Sequence, residues 1–217
     1  MTSSLFNGLK QELYSAHMKL EKYGLVSYTS GNISVKKGEY VVIKPSGIPY
    51  DELSPNDFIV VNLDGKIVEG NKKPSVDTST HLYIYRSRPE FNTIIHTHSP
   101  YASAFALLNE AIPVYSTAHA DLFGVEIPVS AYAPVGSEAI GKAALNVLNK
   151  AGVVLLSHHG VLVFGKSISE SLRKAVFLEE VAKTAYLART MGTPTFIPSE
   201  EALKLYEFHH KHYGQKK

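Results

Sequence analysis

Cysteine is absent from all 217 residues of this chain. Disulfides and thiolate metal sites are therefore excluded, and any transition metal must be held by His, Asp or Glu. A chain of this length can bury most of its apolar surface without covalent staples. An excess of charge of either sign is also lacking: the formal net charge is +2. No basic stripe interleaved with aromatics argues for nucleic acid, and Lys216-Lys217 is too short for an electrostatic arm. No apolar run approaches the roughly 20 residues that a membrane span needs. Met1 to Lys10 lacks the apolar core of a secretory leader. The expectation is a soluble intracellular protein without membrane or nucleic-acid partners. Gly-X-Ser-X-Gly, Gly-X-Gly-X-X-Gly and the Walker pattern are absent too, which disfavours a serine-nucleophile elbow and dinucleotide or ATP chemistry. Repeats, low-complexity segments and linkers are not found, so a single domain over residues 1–217 is expected.

What is present begins with ten histidines. Two of them stand in Asn92-Thr93-Ile94-Ile95-His96-Thr97-His98, a β-branched run that reads as a strand. Side chains at i and i+2 of a strand share a face, so His96 and His98 point the same way from a stiff backbone. A third imidazole is available in Ser157-His158-His159-Gly160, after the apolar strand Val153 to Leu156. Spacing alone does not choose between His158 and His159. Asp77 opens a helix in Pro74-Ser75-Val76-Asp77-Thr78. It is either the carboxylate of a three-His site or an N-cap. Such a site with an open position polarises a carbonyl and stabilises an adjacent enolate.

Helical spacing predicts a first helix with a Leu5, Leu9, Leu13, Ala16, Leu20 stripe, ending at Tyr23-Gly24. Further helices are expected over 77–87, 100–108, 136–149, 167–190 and 199–213. Strands are expected at 40–43, 58–63, 66–69, 153–156 and 161–164, with Asp64-Gly65 as a hairpin turn. Clustered hairpins without steady βαβ alternation favour an antiparallel or mixed sheet with helices packed on it. Glu179 falls inside the apolar face of the long helix. It either meets a neighbouring subunit or lies at the stripe's edge. His209-His210-Lys211-His212 reads as a solvated terminal face, with weak metal binding as the alternative.

Two turns, Thr29-Ser30-Gly31-Asn32 and Lys44-Pro45-Ser46-Gly47, offer hydroxyls, backbone amides and a permissive glycine, with Ser75 as a further hydroxyl. They are either an anion cradle or ordinary turns.

These segments resemble the class II aldolase/L-ribulose-5-phosphate 4-epimerase family, from Gly24 to Gln215. The resemblance is carried by Thr29-Ser30-Gly31-Asn32-Ile33-Ser34, Ile43-Lys44-Pro45-Ser46-Gly47, Lys73-Pro74-Ser75-Val76-Asp77-Thr78, His96-Thr97-His98-Ser99, Thr117-Ala118-His119-Ala120-Asp121, His159-Gly160 and Tyr213-Gly214-Gln215. The order and spacing of the set are specific; no single motif is. The resemblance implies a three-layer α/β/α sandwich around a central, mainly antiparallel sheet. It also implies a cytoplasmic homotetramer with active sites at subunit interfaces.

At the matching positions, Asp77, His96, His98 and His159 would bind one divalent metal per subunit, zinc first, with manganese or cobalt as alternatives. Asn32, Lys44, Ser46, Gly47 and Ser75 match the phosphate site, and Thr117 a residue that holds the cleaved aldehyde. Asp121 and Tyr213 match the acid/base pair supplied by a neighbouring subunit. Asp rather than Glu at position 77 is epimerase-like. Val76 replaces a second serine of the epimerases, and Ser30 replaces a bulky aromatic.

The implied reaction is epimerisation of a phosphorylated ketose, L-ribulose 5-phosphate, by retro-aldol and aldol steps at C3–C4 through an enediolate. The alternatives are an L-fuculose-1-phosphate-type aldolase releasing dihydroxyacetone phosphate and a non-catalytic, adducin-like scaffold.

Overall fold

The computed structural model describes residues 3–214. Met1, Thr2, Gln215, Lys216 and Lys217 lie outside the described residues, so the Gln215 and Lys216-Lys217 readings have no structural counterpart. Neighbouring strands of the central sheet run in the order β4-β3-β2-β1-β5-β8-β7-β6. They are β1 (Asn32–Lys37), β2 (Tyr40–Ile43), β3 (Ile59–Asn62), β4 (Ile67–Glu69), β5 (Thr93–Thr97), β6 (Val129–Ser130), β7 (Val153–Leu156) and β8 (Gly160–Gly165). Every pairing is antiparallel except β6 with β7.

The helices are α1 (Ser3–Lys22), α2 (Thr78–Ser87), α3 (Pro100–Leu107), α4 (Thr117–Phe123), α5 (Glu138–Val147), α6 (Ile168–Met191) and α7 (Ser199–His212). Among the described residues, no helix is long and apolar enough to cross a membrane.

Period-two alternation builds a core on each face of the sheet. Ile33, Val35, Ile95, Val153, Leu155, Val161 and Val163 join the core beneath α1, α3 and α6. Ile94, Val154, Leu156, Leu162 and Phe164 join the core shared with α2 and α5. Strands buried on both faces read as unbroken apolar runs, which is why β5, β7 and β8 stand out in the sequence. The result is the expected α/β/α layering around a mainly antiparallel sheet.

Three labelled elements depart from the expectation: β1, α4 and the two-residue β6. The 29–32 turn runs directly into β1, a strand hidden by Ser34, Lys36 and Lys37. Ser34 is fully buried because α2 supplies polar partners: its Oγ lies 2.7 Å from His81 Nδ1 and 2.8 Å from the Tyr85 hydroxyl. α4 is also unannounced by periodicity. It spans seven residues between the Ser116 cap and Gly124, whose φ of 69° ends it.

Glu179 finds hydrogen-bond partners within the chain. Its two oxygens accept hydrogen bonds from the Tyr101 and Ala102 amides at 2.8 and 2.9 Å. It therefore caps the first turn of α3, whose N-cap residue, Ser99, makes no side-chain cap.

Candidate metal and substrate site

β5 ends at Thr97, so His96 is the last buried imidazole of the strand and His98 stands just beyond it. The alternation holds: the Nε2 atoms of His96 and His98 are 2.9 Å apart. His96 Nδ1 donates to the Val161 carbonyl at 2.9 Å across the β5–β8 ladder. That bond fixes the tautomer and leaves Nε2 with a bare lone pair aimed into the cleft.

The turn between β7 and β8 delivers the third ring. His158 adopts a left-handed φ of 55° and faces Asn109, 3.1 Å away, on the outside of the turn. His159 instead lies with its ring centroid 4.8 Å from His96 and 5.2 Å from His98. One ligand nitrogen from each of His96, His98 and His159 fits within 4.8 Å of the others. Geometry thus selects His159 over His158. Gly160 is needed at this point, because a Cβ there would run into the Thr97 carbonyl oxygen and sit 3.0 Å from His98 Cδ2.

Asp77 occupies the N-cap position of α2 but makes no side-chain cap. Its Oδ2 accepts from Asn32 Nδ2 at 2.8 Å. Asn32 pairs directly with His96 across β1 and β5, so the carboxylate is turned toward the imidazoles. Asp77 lines the same cavity, but it is not part of the tight three-nitrogen group. Behind it lies His81, one helical turn along α2. Sequence reasoning missed this residue, although an i, i+4 spacing from Asp77 was there to be read.

Burial pushes His96 and His81 down to about 4, and it also lowers His98 and His159. Burial alone would raise the Asp77 carboxyl, but the imidazoles of His96 and His81 and the Asn32 amide bring it below its usual range. Neutral imidazoles beside an ionised carboxylate are the protonation states that a divalent cation requires. The His159 Nδ1 is moreover buried without a hydrogen-bond partner. This donor set fits a divalent ion with an open coordination position.

A cavity of about 290 Å³ holds these groups together with Thr29, Ser30, Gly31, Asn32, Lys44, Ser46, Gly47 and Ser75. The 44–47 and 73–75 loops are stitched to each other: Ser46 N donates to Lys73 O at 2.9 Å, and Ser75 N to Lys44 O at 3.0 Å. Gly31 and Gly47 have φ values of 68° and 71°. At Gly31 a Cβ would strike Val26 and approach the His96 carbonyl, so only glycine closes this turn against β5.

Lys44 is buried and ties the two turns together, donating to Thr29 O at 3.1 Å and Ile48 O at 3.2 Å. Burial lowers its ammonium to about 8, which still leaves it mostly charged at pH 7. Val76 and Val135, both exposed, form part of the cavity's lining. Val135 carried no signal in the sequence.

Asp121, Tyr213 and Thr117 do not line this cavity. They lie on α4 and at the end of α7, which pack on each other. Asp121 Oδ2 is 3.8 Å from His209 Nδ1, and the Tyr213 ring stacks on His209 at 4.2 Å. The 209–212 stretch is therefore not uniformly solvated: His209 is packed into this cluster, whereas His210 and His212 are exposed.

A larger cavity, about 620 Å³, opens beside α4 and α7 between Val114, Val125 and Phe196. Its lining lacks any cluster of metal-ligating side chains, unlike that of the smaller one.

A mainly antiparallel sheet thus carries three imidazoles and a carboxylate beside two small-residue turns. Comparison with known proteins gives the family. The family described as Class II Aldolase and Adducin N-terminal domain matches residues 11–186. The L-ribulose-5-phosphate 4-epimerase UlaF of Salmonella paratyphi C (strain RKS4594) is 40% identical over 228 residues, covering 96% of this chain and 99% of that protein.

A solved L-fuculose 1-phosphate aldolase superposes with a TM-score of 0.85 at 32% identity, over 91% of this chain and 94% of that one. The l-fuculose-1-phosphate aldolase from Thermus thermophilus gives 0.75 at 25% identity, over 87% and 98%. The chain belongs to the class II aldolase and adducin N-terminal domain family.

Proposed function

We propose that this chain is a divalent-metal-dependent L-ribulose-5-phosphate 4-epimerase, working as a cytoplasmic homotetramer whose active sites lie between subunits. The observation that carries the reading is Asp77, an aspartate turned from its helix toward three imidazoles and held there by Asn32. The similarity to UlaF along 96% of the chain supports the same activity.

His96, His98 and His159, with Asp77 beside them, would hold the ion, zinc in the first instance. When bound, it would polarise the substrate carbonyl and lower the cost of the negative charge left by carbon–carbon cleavage. The remaining chemistry belongs to the chain. Asn32, Ser46, Gly47 and Ser75 would anchor the phosphate through hydroxyl, amide and backbone N–H groups, over the buried charge of Lys44. Asp121 or Tyr213 of a neighbouring subunit would take the C4 hydroxyl proton as the C3–C4 bond breaks. Glycolaldehyde phosphate, still anchored, would rotate and be attacked on its other face, with Thr117 holding the aldehyde. The opposite member of the pair would then protonate the new C4 oxygen, giving D-xylulose 5-phosphate. Two acid/base groups on opposite sides suit a reaction that runs both ways.

The second reading is an aldolase acting on L-fuculose 1-phosphate. It is favoured by the TM-score of 0.85 to such an enzyme and by Val76, which supplies no second hydroxyl beside Ser75. Supplying each sugar phosphate separately discriminates the two. Coupled detection of D-xylulose 5-phosphate is expected with L-ribulose 5-phosphate, whereas release of dihydroxyacetone phosphate from L-fuculose 1-phosphate alone would overturn the epimerase.

A further inference from the structure

Outside the metal cavity, a second cluster of titratable side chains gathers where α4, α6 and α7 meet. Its centre is His209, whose side chain is 14% exposed although it lies near the chain's end. Arg173, from α6, places a guanidinium nitrogen 2.8 Å from His209 Nε2. Asp121, from α4, places Oδ2 3.8 Å from Nδ1 on the other edge of the ring. The Tyr213 ring lies on the imidazole face, 4.2 Å between centroids and 18° from parallel.

We propose that His209 is a positioning residue that holds Asp121 with its edge and Tyr213 with its face. This rests on the proposed function, which gives those two residues the proton exchanges.

Hydrogen-bond chemistry fixes the arrangement. A guanidinium donates and does not accept. His209 Nε2 must therefore be bare, and the single proton of the neutral ring sits on Nδ1, the edge that faces Asp121. The N–H edge of the ring and the carboxylate thus face each other across 3.8 Å. The groups facing His209 oppose its own protonation on balance. Burial lowers its pKa, Asp121 raises it, and Arg173 and the neighbouring His210 lower it, for a net shift below the ordinary value.

Tyr213 needs a support of this kind because it lies past the end of α7 and is 73% exposed. Its amide donates to the His209 carbonyl at 2.9 Å, and its ring is fixed by the stack. Arg173 also lies 5.9 Å from the Tyr213 ring centre. One imidazole thus sets the direction of a carboxylate with its edge and of a phenol with its face.

The test uses the full-length, metal-loaded protein. His209→Phe keeps a ring for Tyr213 to stack on but removes both nitrogens, and His209→Asn restores a polar edge without the stack. A roughly 10- to 100-fold loss in kcat is expected for His209→Phe, the scale of a misplaced catalytic group. KM for L-ribulose 5-phosphate should stay within about twofold and metal content should be unchanged. The tautomer is read independently by two-bond ¹H–¹⁵N correlation on histidine-labelled protein, with the His209 signals identified by their loss in His209→Phe. An Nδ1–H tautomer is expected.

Should His209→Phe fail to fold, Arg173→Met serves instead: freeing Nε2 should shift the tautomer toward Nε2–H and lower kcat. An Nε2–H tautomer in the wild type, or a wild-type kcat in the folded variant, overturns the inference. Absence of any epimerase turnover in the wild type overturns the substrate reading, whereas the tautomer in that same sample still decides the clamp.

Discussion

Acidification from pH 7 to pH 5 should strip this protein of much of its stability, through three buried histidines outside the His96, His98 and His159 group. His17 and His81 are fully buried and His119 nearly so. Burial pushes them down to about 3, 4 and 4, from an ordinary 6.5. Each has a structural reason to stay neutral. His17 Nδ1 donates to Leu13 O at 2.7 Å while its Nε2 accepts the Ile33 amide at 3.0 Å, fastening α1 to β1. His81 Nε2 is buried with no partner. His119 Nε2 donates to Val125 O at 2.9 Å.

A lowered folded-state pKa means that the unfolded chain binds more protons below pH 6.5. Stability is therefore complete above that value and falls as the pH drops toward 4. Linkage makes each imidazole cost about 2 kcal/mol at pH 5 relative to pH 7, or about 6 kcal/mol for the three. A typical domain has only about 5–15 kcal/mol to lose. Carboxylates held low, such as Asp57 and Glu170, act mainly below this window. Glu179, raised by burial, works in the opposite direction but is a single group.

Urea unfolding followed by far-ultraviolet circular dichroism, at fixed protein and metal concentration, measures the loss directly. His17→Gln should be less stable at pH 7 yet lose about 2 kcal/mol less on going to pH 5, because one titrating group is gone. Equal losses in variant and wild type, or a wild-type loss below about 2 kcal/mol, would refute the reasoning.

Three further outcomes follow from the site and its supports. His96→Asn should lower metal content and turnover together, and full activity in a metal-stripped sample would remove the metal from the account. Gly160→Ala should weaken metal affinity roughly tenfold, as loss of ligand support typically does, because its Cβ collides with the Thr97 carbonyl and crowds His98; calorimetric titration with zinc reads the change. Glu179→Gln should cost about 2 kcal/mol by weakening two charge-assisted caps on α3, seen as a fall of about 4–8 °C in Tm, and an unchanged Tm would show that water caps that turn equally well.

The candidate metal ligands were legible as a group because they sit where local pattern is strongest, although the choice of His159 over His158 came from resemblance. His96 follows a β-branched run buried on both faces, and His159 precedes a glycine at the mouth of an apolar hairpin. What stayed hidden depends on partners distant in sequence. Ser34 makes β1 look like a turn until His81 and Tyr85 satisfy its hydroxyl. α4 is too short to show a period, although Ser116 and Gly124 marked its ends.

Lys44 reads as a free charge in its turn, yet the fold spends its ammonium on two carbonyls. Glu179 looks like an interface residue or an edge residue until α3 presents its bare amides. The tail histidines look solvated until α4 and α6 close over His209. Asp121 and Tyr213 illustrate the limit of pattern reading. Nothing local distinguishes them, and their candidacy came from resemblance.

In the proposed reaction a metal held by His96, His98 and His159 would serve a phosphorylated ketose that is cut and rejoined at C3–C4. The measurement that meets it most directly is a coupled assay for D-xylulose 5-phosphate formed from L-ribulose 5-phosphate, run before and after chelation and again after zinc is returned. Turnover should disappear with the chelator and recover with the metal. Turnover that survives complete removal of metal, or no D-xylulose 5-phosphate from a fully metal-loaded sample, would contradict it.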